Sequence, residues 1–379
     1  MHNKKWFWFL TVLLFTLLFT AGCSREQSGG LGNGWEPDRS MELQYATQFG
    51  VDYYAGGYKL ITMADGSRML VIPEGAKVPS GIDQKITVLQ QPLDHIYLVA
   101  TSAMSLFDTL DALDTISLTG TREDGWYNEN ARNAMENGDI RYAGKYSEPD
   151  YEMIVADGSK LAVESTMIGH TPDVKKKLED LGVPVLVDLS SQERHPLGRT
   201  EWVKMYAALL NKEEVADRFF ADQTAYLSEA TGSEKTGKTV AFFYISTGGY
   251  AVARKTGDYV SKMIELAGGE YIFQNLGDPE TSTSTVTLEM EQFYATAKDA
   301  DFIIYNSTIG GELANLDELL QKNRLLADFK AVKNGNVWCT GKNLFQETTQ
   351  LGRMILDFNR MLTNTDPNLT KLEFLYKLE

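Results

Sequence analysis

The chain has 379 residues, 43% of them hydrophobic and 23% charged, a composition and length that support two packed cores. A formal net charge of −16 argues against a nucleic-acid partner, because phosphate contacts need a basic patch. Two cysteines, Cys23 and Cys339, exclude a disulfide framework.

At the N-terminus, Lys4 and Lys5 precede an apolar run from Trp6 to about Thr20. The run is short for a membrane-spanning helix and right for the core of a signal peptide. It ends in Thr20-Ala21-Gly22-Cys23 and turns polar at once. Small residues before a cysteine, then a flexible polar stretch, resemble a bacterial lipoprotein signal, although Thr20 stands where that pattern usually has Leu. The resemblance implies removal of residues 1–22, lipid on the Cys23 thiol and anchoring to the extracytoplasmic face of the cell membrane. Residues 23–40, rich in Gly, Ser and Asn, read as a tether. Residues 41–92 read as a β-rich extension, with Asp65-Gly66 turning a hairpin between KLITM and RMLVI.

Strands and helices then alternate. IYLVA (96–100) is a short apolar strand, and SAMSLFDTLDAL (102–113) has helical spacing at Met104, Phe107, Leu110 and Leu113. After the strand DTISLTG come a helix near 127–137, a strand near 140, and a helix opened by Ser147-Glu148-Pro149-Asp150, with Pro149 in its first turn. LAVES (161–165) is a strand, 171–182 a helix and 183–189 a strand. Residues 200–231 are helical with a break at Asn211-Lys212. The alternation restarts with the strand TVAFFYIS, a helix at 258–269, a helix at 286–300 and the strand DFIIYNS. Helices at 313–330, the strand NVWCT and a final helix at 346–362 complete it. This is an α/β chain with mainly parallel sheets. Its expected parts are an N-terminal lobe at 93–211, an inter-lobe helix at 212–232, a C-terminal lobe at 238–362 and a tail at 363–379.

Two strand ends carry nearly the same polar words, VESTMIGH at 163–170 and YNSTIGG at 305–311. Ligands of open parallel sheets sit beyond the carboxyl ends of strands. Ser165, Thr166 and His170 would then line one wall, and Asn306, Ser307 and Thr308 the other.

The order of elements resembles the substrate-binding proteins of ABC importers for iron–siderophore, haem and cobalamin, in which one long helix joins two lobes. The segments that carry it are YAGKYSEPDYEMIVADGSKLAVES (142–165), KKLEDLGVPVLVDL (176–189), ADRFFADQTAYLSEA (216–230), DYVSKMIELAGGEYIF (258–273), VTLEMEQFYATAKDADFIIY (286–305) and FKAVKNGNVWCT (329–340). The resemblance covers roughly residues 93–362. It implies a metal-chelate or corrinoid-type ligand held between lobes and a permease with its ATPase as partners; the oligomeric state is not read from the sequence, and a monomer is the default. It also implies one surface glutamate per lobe pairing with permease arginines. Glu152 matches on the first lobe and Glu289 on the second, with Glu291 as the alternative there because the spacing to the next strand is long.

A pocket rim built from strand ends would include Ser102, Met104, Tyr146, Met167, His170 and His195 from the first lobe. The second would supply Tyr244, Tyr250, Arg254, Asn306 and Phe345. Aromatic and Met side chains suit a large ligand, and Arg254 with Arg194 could pair with an anionic group on it. Past the signal, His95, His170 and His195 are the histidines left, too few for a dedicated multi-His metal site. No cofactor is expected. The chain lacks Gly-x-Ser-x-Gly, His-Glu-x-x-His and a P-loop, so an enzyme is not expected either. The alternative is a surface lipoprotein on the same fold that acts as sensor or adhesin rather than in transport.

Overall fold

The computed structural model describes residue 31 and residues 34–232, 235–278 and 284–379. Cys23 and the signal segment lie outside the described residues. Among those described, no helix is long and apolar enough to cross a membrane.

Strands β1 (Arg39–Ser40), β2 (Phe49–Tyr53), β3 (Lys59–Met63), β4 (Arg68–Ile72) and β5 (Ile86–Gln90) form one sheet in chain order. All pairs are antiparallel except β4 with β5. The β3–β4 hairpin falls on the two runs named from the sequence. Gly66 supplies a positive φ of 87°, and the Asp65 carboxylate accepts the Ser67 N–H at 2.9 Å.

The first lobe continues with β6 (Ile96–Leu98), α1 (Thr101–Thr109), β7 (Ile116–Thr119), α2 (Glu129–Glu136), β8 (Arg141–Tyr142), the short hairpin β9 (Gly144–Lys145) and β10 (Glu148–Pro149), α3 (Tyr151–Asp157), β11 (Leu161–Ser165), α4 (Pro172–Asp180) and β12 (Val185–Asp188). Its sheet is wholly parallel, in the order β12-β11-β6-β7-β8. Pro149 belongs to β10 rather than to a helix. Helix α3 opens two residues later, where Asp150 accepts the Met153 N–H at 3.0 Å.

Helices α5 (Pro196–Leu210) and α6 (Glu213–Thr231) follow. They are broken by Asn211, which sits at φ 58°, a left-handed cap that Asn tolerates. The second lobe holds β13 (Thr239–Ile245), β14 (Ala251–Arg254), α7 (Tyr259–Leu266), β15 (Glu270–Tyr271), β16 (Thr285–Leu288), α8 (Met290–Ala297), β17 (Phe302–Tyr305), α9 (Ser307–Gly310), α10 (Leu316–Lys322), α11 (Lys330–Lys333), β18 (Val337–Thr340), α12 (Leu351–Thr363) and β19 (Leu375–Lys377). Its sheet runs β16-β14-β13-β17-β18-β19, with β15 also on β13.

Residues 286–300 are not one helix. Thr285, Val286 and Thr287 are β-branched, and they add a strand to the open edge of β14 before α8 begins at Met290. The C-terminal residues include β19, which pairs antiparallel with β18.

Period-2 alternation assigns the cores. Ile96, Leu98, Leu161, Val163 and Leu186 face one side of the first lobe's sheet, and Tyr97, Leu118, Ala162 and Val185 the other. The first group shares a single core with Val51, Ile61, Met69 and Val71 of the N-terminal sheet and with Phe107, Trp202 and Tyr206. The N-terminal sheet is thus a further layer of the first lobe. Helix α6 belongs to both lobes: Ala216 packs in the first core, Phe220 and Leu227 in the second. Close approach of α12 to α6 requires Gly352, where a Cβ would lie 2.4 Å from the Gln223 carbonyl oxygen.

Candidate functional site

The carboxyl ends of the parallel strands gather the loops after β6, β7, β8, β11 and β12 in the first lobe. In the second they gather those after β13, β17 and β18. Burial makes these loops unusual. Tyr127 after β7 is 42% exposed, Met167 after β11 45%, Tyr250 after β13 41%, Ile309 after β17 64% and Phe345 after β18 38%. Large apolar side chains are thus left exposed on strand-end loops of both lobes.

The two sets of loops meet. Gln346, itself buried, donates from Nε2 to the Gly125 carbonyl at 2.8 Å and accepts the Tyr127 N–H at Oε1, also at 2.8 Å. This clasp joins the loop after β18 to the loop after β7. Nearby, Thr200 of α5 donates to the Thr348 carbonyl at 2.9 Å.

The remaining residues expected on the rim differ in how far they reach it. His170 is exposed at the end of the turn after β11. Ser102 in the first turn of α1, Tyr146 after the β9 edge and Tyr244 on β13 are half-buried. Met104 is 1% exposed and packs in the first lobe's core, because its position on α1 faces the sheet. Asn306 is buried and caps α9 by accepting the Thr308 N–H. The His195 ring accepts the Leu197 N–H at 3.2 Å, capping α5, and stacks on Tyr45 at 4.2 Å. Burial, and then the Lys262 ammonium, pushes its pKa down to about 4.

Arg254 donates to Ser284 Oγ at 3.2 Å, lies 3.7 Å from Asp258, and leaves its buried Nε without a partner. Its neighbour across the lobes is Arg199, which sequence reasoning missed because it reads as one more residue of a helix surface. The Arg199 guanidinium lies 3.7 Å from the centre of the Tyr259 ring, with Arg254 5.6 Å from the same ring. Arg122 over the Tyr142 ring at 4.4 Å, Tyr127 and Ile309 were also missed. Their signal was a cation, an aromatic or a bulky aliphatic residue within a few positions of a strand end.

Glu152 is exposed in the first turn of α3, Glu289 is exposed at the N-cap of α8, and Glu291 is exposed in the first turn of α8. Among the described residues, no group of three or more His, Cys, Asp or Glu side chains could hold a metal ion. Cys339 is buried, and burial raises its thiol pKa. What the strand-end loops offer is a set of exposed apolar and aromatic side chains from both lobes, with half-buried polar side chains on the same loops.

A family profile described as periplasmic binding protein matches residues 99–344. The chain belongs to that family. Periplasmic binding proteins bind rather than transform, and this chain is a binding protein and not an enzyme. It is similar to an uncharacterized lipoprotein of Methanocaldococcus jannaschii, 28% identical over 81% of this chain and 76% of the relative. A second uncharacterized lipoprotein of that organism is 24% identical over 89% and 87%.

Among solved structures, the periplasmic haem-binding protein of Vibrio cholerae superposes with a TM-score of 0.57 at 16% identity, covering 70% of this chain and 98% of its own. The vitamin B12 binding protein of the same organism gives 0.51 at 17%, covering 72% and 99%. These likenesses show the two-lobed fold of periplasmic binding proteins. The family match begins at residue 99, so the N-terminal sheet lies outside it.

Proposed function

We propose that this periplasmic binding protein is the lipid-anchored solute receptor of an ABC importer, and that it captures an iron–siderophore, haem or cobalamin-like ligand between its lobes. The observation that carries the reading is the set of exposed apolar residues on the strand-end loops of both lobes, Tyr127, Met167, Tyr250, Ile309 and Phe345. A ligand that covers them must be large and largely apolar. In this reading Ser102, Tyr146, His170 and Tyr244 flank it, and the Arg199 and Arg254 guanidiniums face its anionic edge. Glu152 on one lobe and Glu289 or Glu291 on the other dock to the permease. Attachment through Cys23 is supported by relatives named as lipoproteins.

The test is an intrinsic-fluorescence titration of the chain from residue 24 with haem, ferric catecholate and hydroxamate siderophores, and cobalamin. Trp126, beside Tyr127 in the clasped loop, is the reporter. Saturable quenching by one of them, with a Kd of micromolar or tighter, is expected. No binding by any of them overturns the ligand class.

A further inference from the structure

The segment that enters β2 lies against α5 and is held there by two carboxylates of the first lobe. Glu201 accepts the N–H groups of Gln44, Tyr45 and Ala46 at 2.8–3.1 Å. Glu193 accepts those of Thr47 and Gln48 at 2.9–3.0 Å, and also the Thr47 hydroxyl and the Trp202 indole N–H. Both glutamates are buried, and the Lys204 ammonium lies 3.3 Å from Glu201. Five consecutive backbone donors thus end on two side chains, where a loop could have turned them to water. Gly198 permits the approach: a Cβ at that position would lie 3.1 Å from the Tyr45 carbonyl oxygen.

The consequence of this anchoring is the position of one ring. Tyr45 stacks on His195 with an interplanar angle of 17° and meets the ring of Phe220 edge-on at 6.2 Å. His195 caps the start of α5. Phe220 is the point on α6 where the helix leaves the first lobe's core and enters the second's. Tyr45 is therefore fixed to the first lobe through its backbone and packed against the second lobe's core through its side chain.

We propose that residues 44–48 form a wedge in the hinge, and that Tyr45 is a positioning residue that sets the angle between the lobes. The wedge belongs to the part of the chain outside the family match and does not depend on which ligand is bound. A single helix joining two lobes can bend about its middle. A ring seated at that middle and held by five backbone hydrogen bonds restricts the bend to one value.

The experiment is pulsed electron–electron resonance on the full chain in detergent, spin-labelled at Lys176→Cys on α4 and Asp299→Cys after α8, both exposed. The unmodified hinge is expected to give one narrow interlobe distance. Tyr45→Ala is expected to widen the distribution at least twofold. Tyr45→Phe, which keeps the ring, is expected to leave it narrow. Gly198→Ala pushes the segment outward without touching the ring and is expected to widen it to an intermediate degree. It also serves if Tyr45→Ala fails to fold by circular dichroism. A narrow, unchanged distribution in folded Tyr45→Ala or in Gly198→Ala overturns the wedge, as does widening in Tyr45→Phe equal to that in Tyr45→Ala.

Discussion

Two kinds of side chain in the upper part of the lobes make opposite predictions. Tyr250 and Phe345 are exposed and contribute little to the cores, so their cost of truncation falls on binding. Covering an aromatic ring stabilises by about 1.5–3 kcal/mol. Tyr250→Ala and Phe345→Ala are each expected to weaken ligand binding roughly tenfold or more, with the thermal midpoint nearly unchanged. Met104 is the reverse: Met104→Ala should lower stability by about 2–5 kcal/mol and leave affinity as it was. A third residue, Glu164 on β11, is fully buried with both carboxyl oxygens unpartnered, and burial raises its pKa to about 8. Its unfolded value is near 4.5, so between those two pH values the unfolded chain releases a proton that the native chain keeps. The native state therefore loses stability as pH rises from 4.5 toward 8. Glu164→Gln is expected to stabilise at pH 7, on the order of 3 kcal/mol, and to confer no such advantage at pH 4.5. Chemical denaturation at the two pH values measures the difference.

At the scale of elements, the break between α5 and α6 is the most tightly specified point. Asn211 holds a left-handed conformation there, accepts from Lys59 Nζ at 2.7 Å and donates to Gln91 Oε1 at 3.1 Å. Asn211→Gly loses the two hydrogen bonds alone. Asn211→Val adds a steric cost of about 1–2 kcal/mol, so urea midpoints should fall in the order wild type, Gly, Val. This break was legible because Asn-Lys interrupts the helical spacing, just as Asp65-Gly66 announced its hairpin. LAVES was legible as a strand because a short apolar run ends in a polar pair. The stretch 286–300 was not, because MEQFYATA is a strong helix pattern and nothing in VTLE shows that β14 has an open edge waiting for it. The strands β14 and β19 were missed for the same reason: a short run after a glycine turn or near a terminus becomes a strand only when a neighbour offers it an edge. Among rim candidates, residues one to five positions past a strand end could be picked out by place. Which of them turn inward depended on helix phase for Met104, and on capping for His195 and Asn306. Arg199 became visible only when Tyr259 of the other lobe came within reach.

For the whole molecule, the two lobes are joined by α6 and by the clasp at Gln346, and Glu152 and Glu289 each stand exposed at a helix start, one on each lobe. If transport is the role, Glu152→Ala combined with Glu289→Ala should abolish uptake while leaving ligand affinity within about twofold, because both carboxylates are exposed at helix N-termini and neither belongs to the exposed apolar set proposed to hold the ligand. Uptake that survives the pair but fails when Glu291→Ala is added would place the second docking point two residues further along, in the first turn of α8. Loss of affinity in the pair would place these residues on the wrong surface.

The shared core of the N-terminal sheet and the first lobe bears on descent. Val51, Ile61, Met69 and Val71 are packed against Phe107, Trp202 and Tyr206 in one cluster, so neither surface is finished without the other. A lineage that dropped the sheet would bare a broad apolar wall and five backbone donors' worth of buried carboxylate in the same step. One that gained it would have had to make the underlying helices greasy at the same time. The layer is therefore inherited whole or not at all. Relatives that align with residues 41–92 are expected to keep acidic residues at the positions of Glu193 and Glu201, and relatives that begin at the family boundary are expected to have polar residues there and along the outer face of α5.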